Sequence, residues 1–330
     1  MTTANVLVCG VNWLGDSIMT MPAIQAFARA HTDRAVVLLI KRSLLPLWQM
    51  HGVPASVLPI ETGCRGFLRT VGSVRSFHPA TAFVLPNSLR SALLAFAARI
   101  PVRRGASGHH RRWLLTDVVQ GGEGPVHQSM EYYRLLGVDD PANGVERPEL
   151  RIPVSARQWA VDRLPGETRW VAFLPGAARG PSKQWPEDCF MEAGRVLVSD
   201  LPCRVAVLGS GKEQALCERV TAGIGTGASC MAGHTSLQEL AGALQRCAVV
   251  VCNDSGGMHL AAAVGTRVVA LYGMTDPAVT GPLGTGHRVL VPDGAKGRRD
   301  IPRTSAAAVA ALRSIEPFRV VEAVRDLLTE

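Results

Sequence analysis

What the 330-residue sequence lacks narrows it first. It contains no run of about 18 apolar residues, so no membrane-spanning helix is expected. The eight cysteines (Cys9, Cys64, Cys189, Cys203, Cys217, Cys230, Cys247 and Cys252) form no Cys-x-x-Cys pair, and the nine histidines form no His-x-x-x-His pair. A structural zinc site therefore has no support, and the cysteines read as reduced packing residues of a cytosolic protein. The opening Met1-Thr2-Thr3-Ala4-Asn5 lacks a basic segment and leads straight into strand-like Val6-Leu7-Val8, so no signal peptide is expected there. There is no solenoid-period repeat and no low-complexity segment. Acid is absent from Thr62 to Thr116, a stretch holding nine arginines (Arg65, Arg69, Arg75, Arg90, Arg99, Arg103, Arg104, Arg111 and Arg112) together with His78, His109 and His110. A field of one sign draws an anionic partner: nucleic acid, an acidic membrane surface, or a phosphorylated or carboxylated substrate. The competing reading is a solvated face whose countercharges come from elsewhere in the fold.

What is present describes a globular chain, 47% apolar and 19% charged with net charge +8. Its length predicts two domains of roughly 150 residues each. Short apolar runs at 5–10, 35–40 and 80–85 read as buried parallel strands. Helical spacing follows at 17–31 (with Pro22 as a kink or first turn), 42–50 and 89–98, the last with Leu89, Leu93, Phe96 and Ala97 on one side. Turn residues dominate 139–153, including Asp139-Asp140-Pro141-Ala142-Asn143-Gly144. A bridging helix is expected at 156–164. The pattern then restarts, with strands at 170–174, 204–208, 248–252 and 267–271 and helices at 186–200, 213–224, 237–245, 258–264 and 317–328. Such alternation predicts an α/β chain with two doubly wound parallel sheets.

Ligands of open α/β sheets bind at the carboxyl ends of the strands, so the loops there carry the chemistry. The first is Gly10-Val11-Asn12-Trp13-Leu14-Gly15-Asp16-Ser17. Asp16 reads either as a helix cap or as a general base; a helix N-terminus keeps it ionised but makes it a weaker base. In Pro86-Asn87-Ser88-Leu89-Arg90, Asn87 and Ser88 are caps or acceptor contacts, with Arg90 a cation nearby. The loop Pro175-Gly176-Ala177 to Ser182-Lys183-Gln184-Trp185-Pro186 offers backbone N–H groups and one ammonium to a diphosphate. Its spacing is not that of a Walker A loop. Gly209-Ser210-Gly211 borders a nucleotide but lacks the third glycine of a dinucleotide fingerprint, which disfavours a dehydrogenase. Asn253-Asp254-Ser255-Gly256-Gly257-Met258-His259 concentrates carboxylate, hydroxyl, glycines and imidazole in one strand-to-helix turn. It would suit ribose hydroxyls and phosphates.

Together with Ala232-Gly233, Thr235-Ser236-Leu237 and Ala270-Leu271-Tyr272-Gly273, these loops resemble, in order and spacing, the bacterial ADP-heptose:lipopolysaccharide heptosyltransferases of glycosyltransferase family 9, of the heptosyltransferase II type. The resemblance implies a GT-B fold, two Rossmann-like domains facing a cleft. An acceptor domain would span 1–155 and a nucleotide-sugar domain 156–316, with the helix 317–330 packing back on the first. It implies an inverting, metal-independent and cofactor-free transfer of heptose from ADP-heptose to the inner core of lipopolysaccharide. Asp16 takes the place of the catalytic base and Lys183 that of the donor-phosphate lysine. Gly176, Ala177, Ser182, Gly209, Ser210, Thr235, Asp254, Ser255, Gly256, Gly257 and His259 would bind the donor. Asn12, Trp13, Asn87, Ser88 and Arg90 would bind the acceptor.

The arginine-rich stretch falls in the acceptor domain. It fits an anionic glycolipid, and with it a cytoplasmic protein peripheral to the inner face of the inner membrane. Nucleic acid is not expected, since the stretch lacks interleaved aromatics and a reading helix. The segment Gly294–Ile315, alanine- and arginine-rich and without Cys, differs from the family's tail. It leaves open a same-fold transferase acting on a protein or secondary metabolite. A nucleotide-sugar binding protein without turnover is disfavoured by the intact Asp16, Lys183 and Asp254. Nothing in the sequence sets an oligomeric state.

Overall fold

A computed structural model of the chain describes residues 5–53, 55–108, 110–121, 124, 126–141, 144–294, 297 and 302–329. Residues 1–4, His109, Ala142, Asn143 and, in the tail segment, 295, 296 and 298–301 lie outside the described residues. The chain divides into two compact units, Met1–Arg151 and Ile152–Glu330, a few residues ahead of the expected 155/156 boundary.

The first unit contains β1 (Val6–Cys9), α1 (Leu14–Ala30), β2 (Val36–Lys41), α2 (Leu45–Gln49), β3 (Ser56–Ile60), α3 (Gly63–Ser76), β4 (Thr81–Val84), α4 (Leu89–Ala97), β5 (Val102–Ala106), β6 (Asp117–Val119) and α5 (Gln128–Leu136). Its described strands form one parallel sheet in the order β3-β2-β1-β4-β5-β6. The central strand β1 pairs in register with both neighbours, Leu7 opposite Val37 and Ala82. Its continuous Val-Leu-Val-Cys run is buried on both sides, as a covered parallel strand requires. From β1 the chain moves outward to β3, then reverses and crosses to β4. Right-handed crossovers therefore send α1 and α2 to one face and α3 and α4 to the other. On the first face Phe27 of α1 meets Phe83 edge-on, ring centroids 5.2 Å apart. On the second, Val71 and Val74 of α3 join Ala92, Leu94 and Ala95 of α4 over Leu7, Cys9, Val37, Leu39, Ala82 and Val84.

The stripe Leu89, Leu93 and Phe96, at helical spacing on one side of α4, does not face the core: all three side chains are exposed. Ala92, Leu94 and Ala95 face the sheet instead, and the two alanines let the helix lie close to it. Helix α1 starts at Leu14, three residues before expected, and continues through Pro22. The 42–50 segment is a 3-10 turn, Arg42–Leu44, followed by the short α2.

The second unit holds α6 (Val154–Arg163), β7 (Arg169–Leu174), α7 (Glu187–Asp200), β8 (Cys203–Val207), α8 (Gln214–Ile224), β9 (Ala228–Cys230), α9 (Leu237–Arg246), β10 (Val249–Asn253), α10 (Gly256–Ala263), β11 (Arg267–Leu271), α11 (Pro277–Thr280), β12 (Arg288–Leu290), α12 (Ala306–Arg313) and α13 (Pro317–Thr329). Its sheet repeats the same topology, β12-β11-β10-β7-β8-β9, all parallel. Helix α9 begins with a reciprocal capping box, Ser236 and Glu239 each satisfying the other's backbone N–H.

The last helix belongs to the second unit. In the structure the apolar face of α13 (Val320, Val321, Val324 and Leu327) closes the core of the second unit, beside Phe190 and Leu197 of α7. Arg169 and Arg267 donate to the carbonyls of Leu328 and Leu327 at 2.7 Å each and fix its end. No helix among the described residues is long and apolar enough to cross a membrane.

Candidate active site

In each sheet the chain reverses direction between two adjacent central strands, β1 and β4 in the first unit and β7 and β10 in the second. Loops leaving such a pair diverge to opposite faces and open a crevice at the carboxyl ends. The sequence-predicted residues concentrate at these two points.

In the first unit Gly10 opens the β1 loop. A Cβ there would stand 3.1 Å from Ile40, and its N–H donates to Leu39 at 2.8 Å. Asn12 and Trp13 follow, both exposed. Trp13, not Asp16, is the N-cap of α1. Asp16 lies inside the first turn and is half-buried. Its negative charge, after burial, helps push the hydroxyl of Tyr132 on α5 above the ordinary tyrosine range. Gln128 donates to that same oxygen at 2.9 Å.

Across the reversal point, Ser88 is a true N-cap: its Oγ accepts from the N–H of Ser91 at 3.3 Å. The neighbouring Asn87 and Arg90 are exposed. Arg90 reaches the carbonyl of Glu61 at 3.5 Å, and its guanidinium lies 6.0 Å from the ring centre of Phe67. The Asn87 amide is approached so closely by Gly108, at φ +142°, that a Cβ there would come within 2.8 Å of it.

Arg111, which composition alone assigns to the cationic field, is instead fully buried. It donates to Pro86, to Ser88 at 3.3 Å and twice to Ala106 at 3.1 and 2.8 Å. A guanidinium offers five donors in a fixed fork. Here that fork ties the β4 loop to the β5 loop.

In the second unit Lys183 and Asp254, carried on the loops after β7 and β10, form an ion pair. Their side chains are only 16% and 8% exposed. Thr275 donates to the same Asp254 oxygen at 2.8 Å. Asn253, the last residue of β10, holds the two loops together. Its Oδ1 accepts from Trp185 N–H at 2.8 Å, and its Nδ2 donates to Pro175 at 2.8 Å and Gly176 at 3.4 Å.

Tyr272 lies buried below and donates to Thr280 at 2.5 Å. Burial first, and the Asp254 carboxylate second, raise its hydroxyl well above the ordinary tyrosine range. Ser255 caps α10 through its backbone only, without a side-chain hydrogen bond, and Gly256 and Gly257 form the first turn. His259 is buried within that helix.

The remaining predicted donor residues divide. Gly176 and Ala177 are buried in the β7 loop, and a Cβ on Gly176 would stand 1.9 Å from Glu213 Oε1. Glu213 in turn accepts from Ser210 N–H at 2.8 Å and Ser210 Oγ at 2.7 Å. Gly209 is buried and Thr235 half-buried. The Ser182 hydroxyl is engaged locally, donating to Pro302 at 2.6 Å and accepting from Ser305 N–H at 2.7 Å, so it pins the tail to the Lys183 loop. Sequence reading did not single out Asn253, Glu213, Thr275 or Arg111 for these roles. The signal for Asn253 was its place in the β10 motif; the others act through contacts distant in sequence.

The eight cysteines are all free; Cys64 is exposed and Cys230 half-buried, the rest buried. Burial raises the Cys9, Cys217 and Cys247 thiols to about 12. These three are neutral packing groups, as the sequence suggests.

Comparison with known proteins fits this geometry. Residues 74–300 match glycosyltransferase family 9 (heptosyltransferase). Lipopolysaccharide heptosyltransferase 2 of Escherichia coli K12 is 30% identical, the match covering 98% of this chain and 99% of that protein. The Salmonella typhimurium LT2 protein of the same name matches to the same extent. Among solved structures, E. coli ADP-heptose lps heptosyltransferase II superposes with a TM-score of 0.84 at 28% identity over 98% of both chains. E. coli heptosyltransferase WaaC with ADP shares the fold, with a TM-score of 0.72 at 18% identity over 98% of this chain and 99% of that one.

Proposed function

Because the chain belongs to glycosyltransferase family 9 (heptosyltransferase), we propose that it transfers heptose from ADP-heptose to the inner core of lipopolysaccharide, with inversion and without a metal. The observation carrying the donor half is the Lys183–Asp254 pair at the reversal point of the second sheet, beside the first turn of α10. A helix N-terminus and an ammonium both favour a diphosphate. Asp254 holds Lys183 ready and turns its remaining acceptor capacity toward donor hydroxyls. The first unit carries the acceptor.

In the reaction the Asp16 carboxylate takes the proton of the attacking hydroxyl. The acceptor oxygen bonds to the anomeric carbon as the bond from that carbon to the diphosphate oxygen breaks. ADP leaves with the electron pair, its growing charge met by Lys183 and the α10 amides. The exposed arginines of residues 62–116 suit an acceptor bearing carboxylates and phosphates, which supports reading the enzyme as peripheral to the inner face of the inner membrane. The heptosyltransferase 2 relatives give no support to a protein or secondary-metabolite acceptor.

The test is to incubate the protein with ADP-heptose and core-truncated lipopolysaccharide and weigh the product. A gain of one heptose is expected. Asp16→Asn should abolish transfer while leaving ADP-heptose binding within about twofold, since it removes a group needed only for the chemical step. Turnover retained in that variant overturns the base assignment.

A further inference from the structure

We propose that the outer face of α4, with Trp113 beside it, is a docking surface for an anionic lipid bilayer. This rests on the reading above that the acceptor is a membrane glycolipid. Helix α4 buries Ala92, Leu94 and Ala95 and presents Leu89, Leu93 and Phe96, at positions i, i+4 and i+7, to solvent. Trp113 is 67% exposed and lies edge-on to Phe96, ring centroids 6.1 Å apart. Packing within the first unit does not account for this stripe, because the same helix closes the core with Ala92, Leu94 and Ala95. A contiguous set of large apolar side chains left in water marks an interaction surface.

The charge around the stripe selects the occupant. The Arg103 guanidinium lies 5.4 Å from the ring centre of Phe96. Arg90, Arg99 and Arg112 are exposed on the same segments. No acid occurs from Thr62 to Thr116. The acids that bound the stretch are neutralised: Glu61 by Arg69 at 3.0 Å and Asp117 by Arg104 at 2.6 Å. Apolar side chains, a tryptophan and uncompensated arginines together suit the boundary between acyl chains and anionic headgroups. A second copy of the chain is a poor occupant, since a two-fold contact would set the arginines of both copies against one another.

The placement also serves the chemistry. Helix α4 begins immediately after Asn87 and Ser88, and at nine residues it is roughly 14 Å long. A bilayer against this face therefore lies within a helix length of the acceptor loop, where a lipid-anchored sugar would be presented.

The test is co-sedimentation of the full chain with acceptor-free vesicles, either pure phosphatidylcholine or phosphatidylcholine with about a third phosphatidylglycerol. We expect binding to the anionic vesicles at least tenfold tighter than to the neutral ones. Phe96→Ser with Trp113→Ser should weaken it at least tenfold, and Arg112→Gln by a smaller factor. Transfer to a delipidated, water-soluble acceptor should be unchanged in the Phe96/Trp113 double variant, which also shows that it folds, while transfer to acceptor embedded in vesicles falls. Three results overturn the proposal: no preference for anionic vesicles, binding untouched by the double substitution, or a dimer that the double substitution dissolves with no vesicle binding. Vesicle binding without heptose transfer to any acceptor would overturn the functional reading and leave the docking surface standing.

Discussion

At the scale of single residues, the ion pair of Lys183 and Asp254 is the feature whose disruption says most. Both side chains are largely withdrawn from water, so removing one charge leaves the other poorly solvated. Asp254→Asn is expected to destabilise the protein by roughly 3 kcal/mol, the low end for breaking a buried pair, since Lys183 keeps some contact with water. It should also weaken donor binding, because Lys183 loses its anchor. Lys183→Met combined with Asp254→Asn should recover part of the stability and none of the donor affinity. Equal thermal stability of the single and double variants would show that the two charges are not coupled. The sequence revealed both residues, since lysine and aspartate in strand-to-helix turns are chemically conspicuous. It did not reveal that they touch, because they lie 71 positions apart. Nor did it reveal Arg111, whose type suggests a surface charge while its buried position makes it a clamp on Pro86, Ser88 and Ala106.

At the scale of elements, continuous apolar runs such as those of β1, β7 and β10 were readable because burial on both faces needs apolar side chains throughout. β3, β5, β6, β9 and β12 were not. β5 carries Arg103 and Arg104, and β3 carries Pro59, compatible with a strand edge but not with a central strand. Helix α4 was legible in its spacing but not in its facing, because periodicity cannot tell a core from a bilayer. Close helix contacts depend on glycines that sequence alone does not explain. In α9, a Cβ on Gly242 would lie 2.5 Å from the carbonyl oxygen of Ala156 in α6. Backbone cannot yield as a side chain can. Gly242→Ala is therefore expected to cost about 1–3 kcal/mol despite alanine's better helix propensity. Thermal unfolding would check it, and a stabilised variant would refute the close packing of α6 on α9.

At the scale of the whole molecule, the two sheets repeat one topology but divide the charge unequally. Residues 1–151 hold 16 basic and 10 acidic residues, whereas 152–330 hold 19 and 17. Most of the net +8 thus belongs to the unit assigned to the acceptor, although both substrates are anionic. Field-driven capture decays with the Debye length, about 10 Å at 0.1 M salt and about 3 Å at 1 M. Local hydrogen bonds of a half-enclosed site are screened far less. Raising sodium chloride from about 0.1 to 1 M should therefore raise KM for a soluble anionic acceptor roughly tenfold, with KM for ADP-heptose moving only about two- to threefold and kcat nearly flat. The acceptor effect should shrink when Arg65 and Arg112, both exposed, are replaced by glutamine. If the two Michaelis constants rise in parallel, the uneven charge does not steer the acceptor. The acid-free stretch would then matter only where it meets lipid.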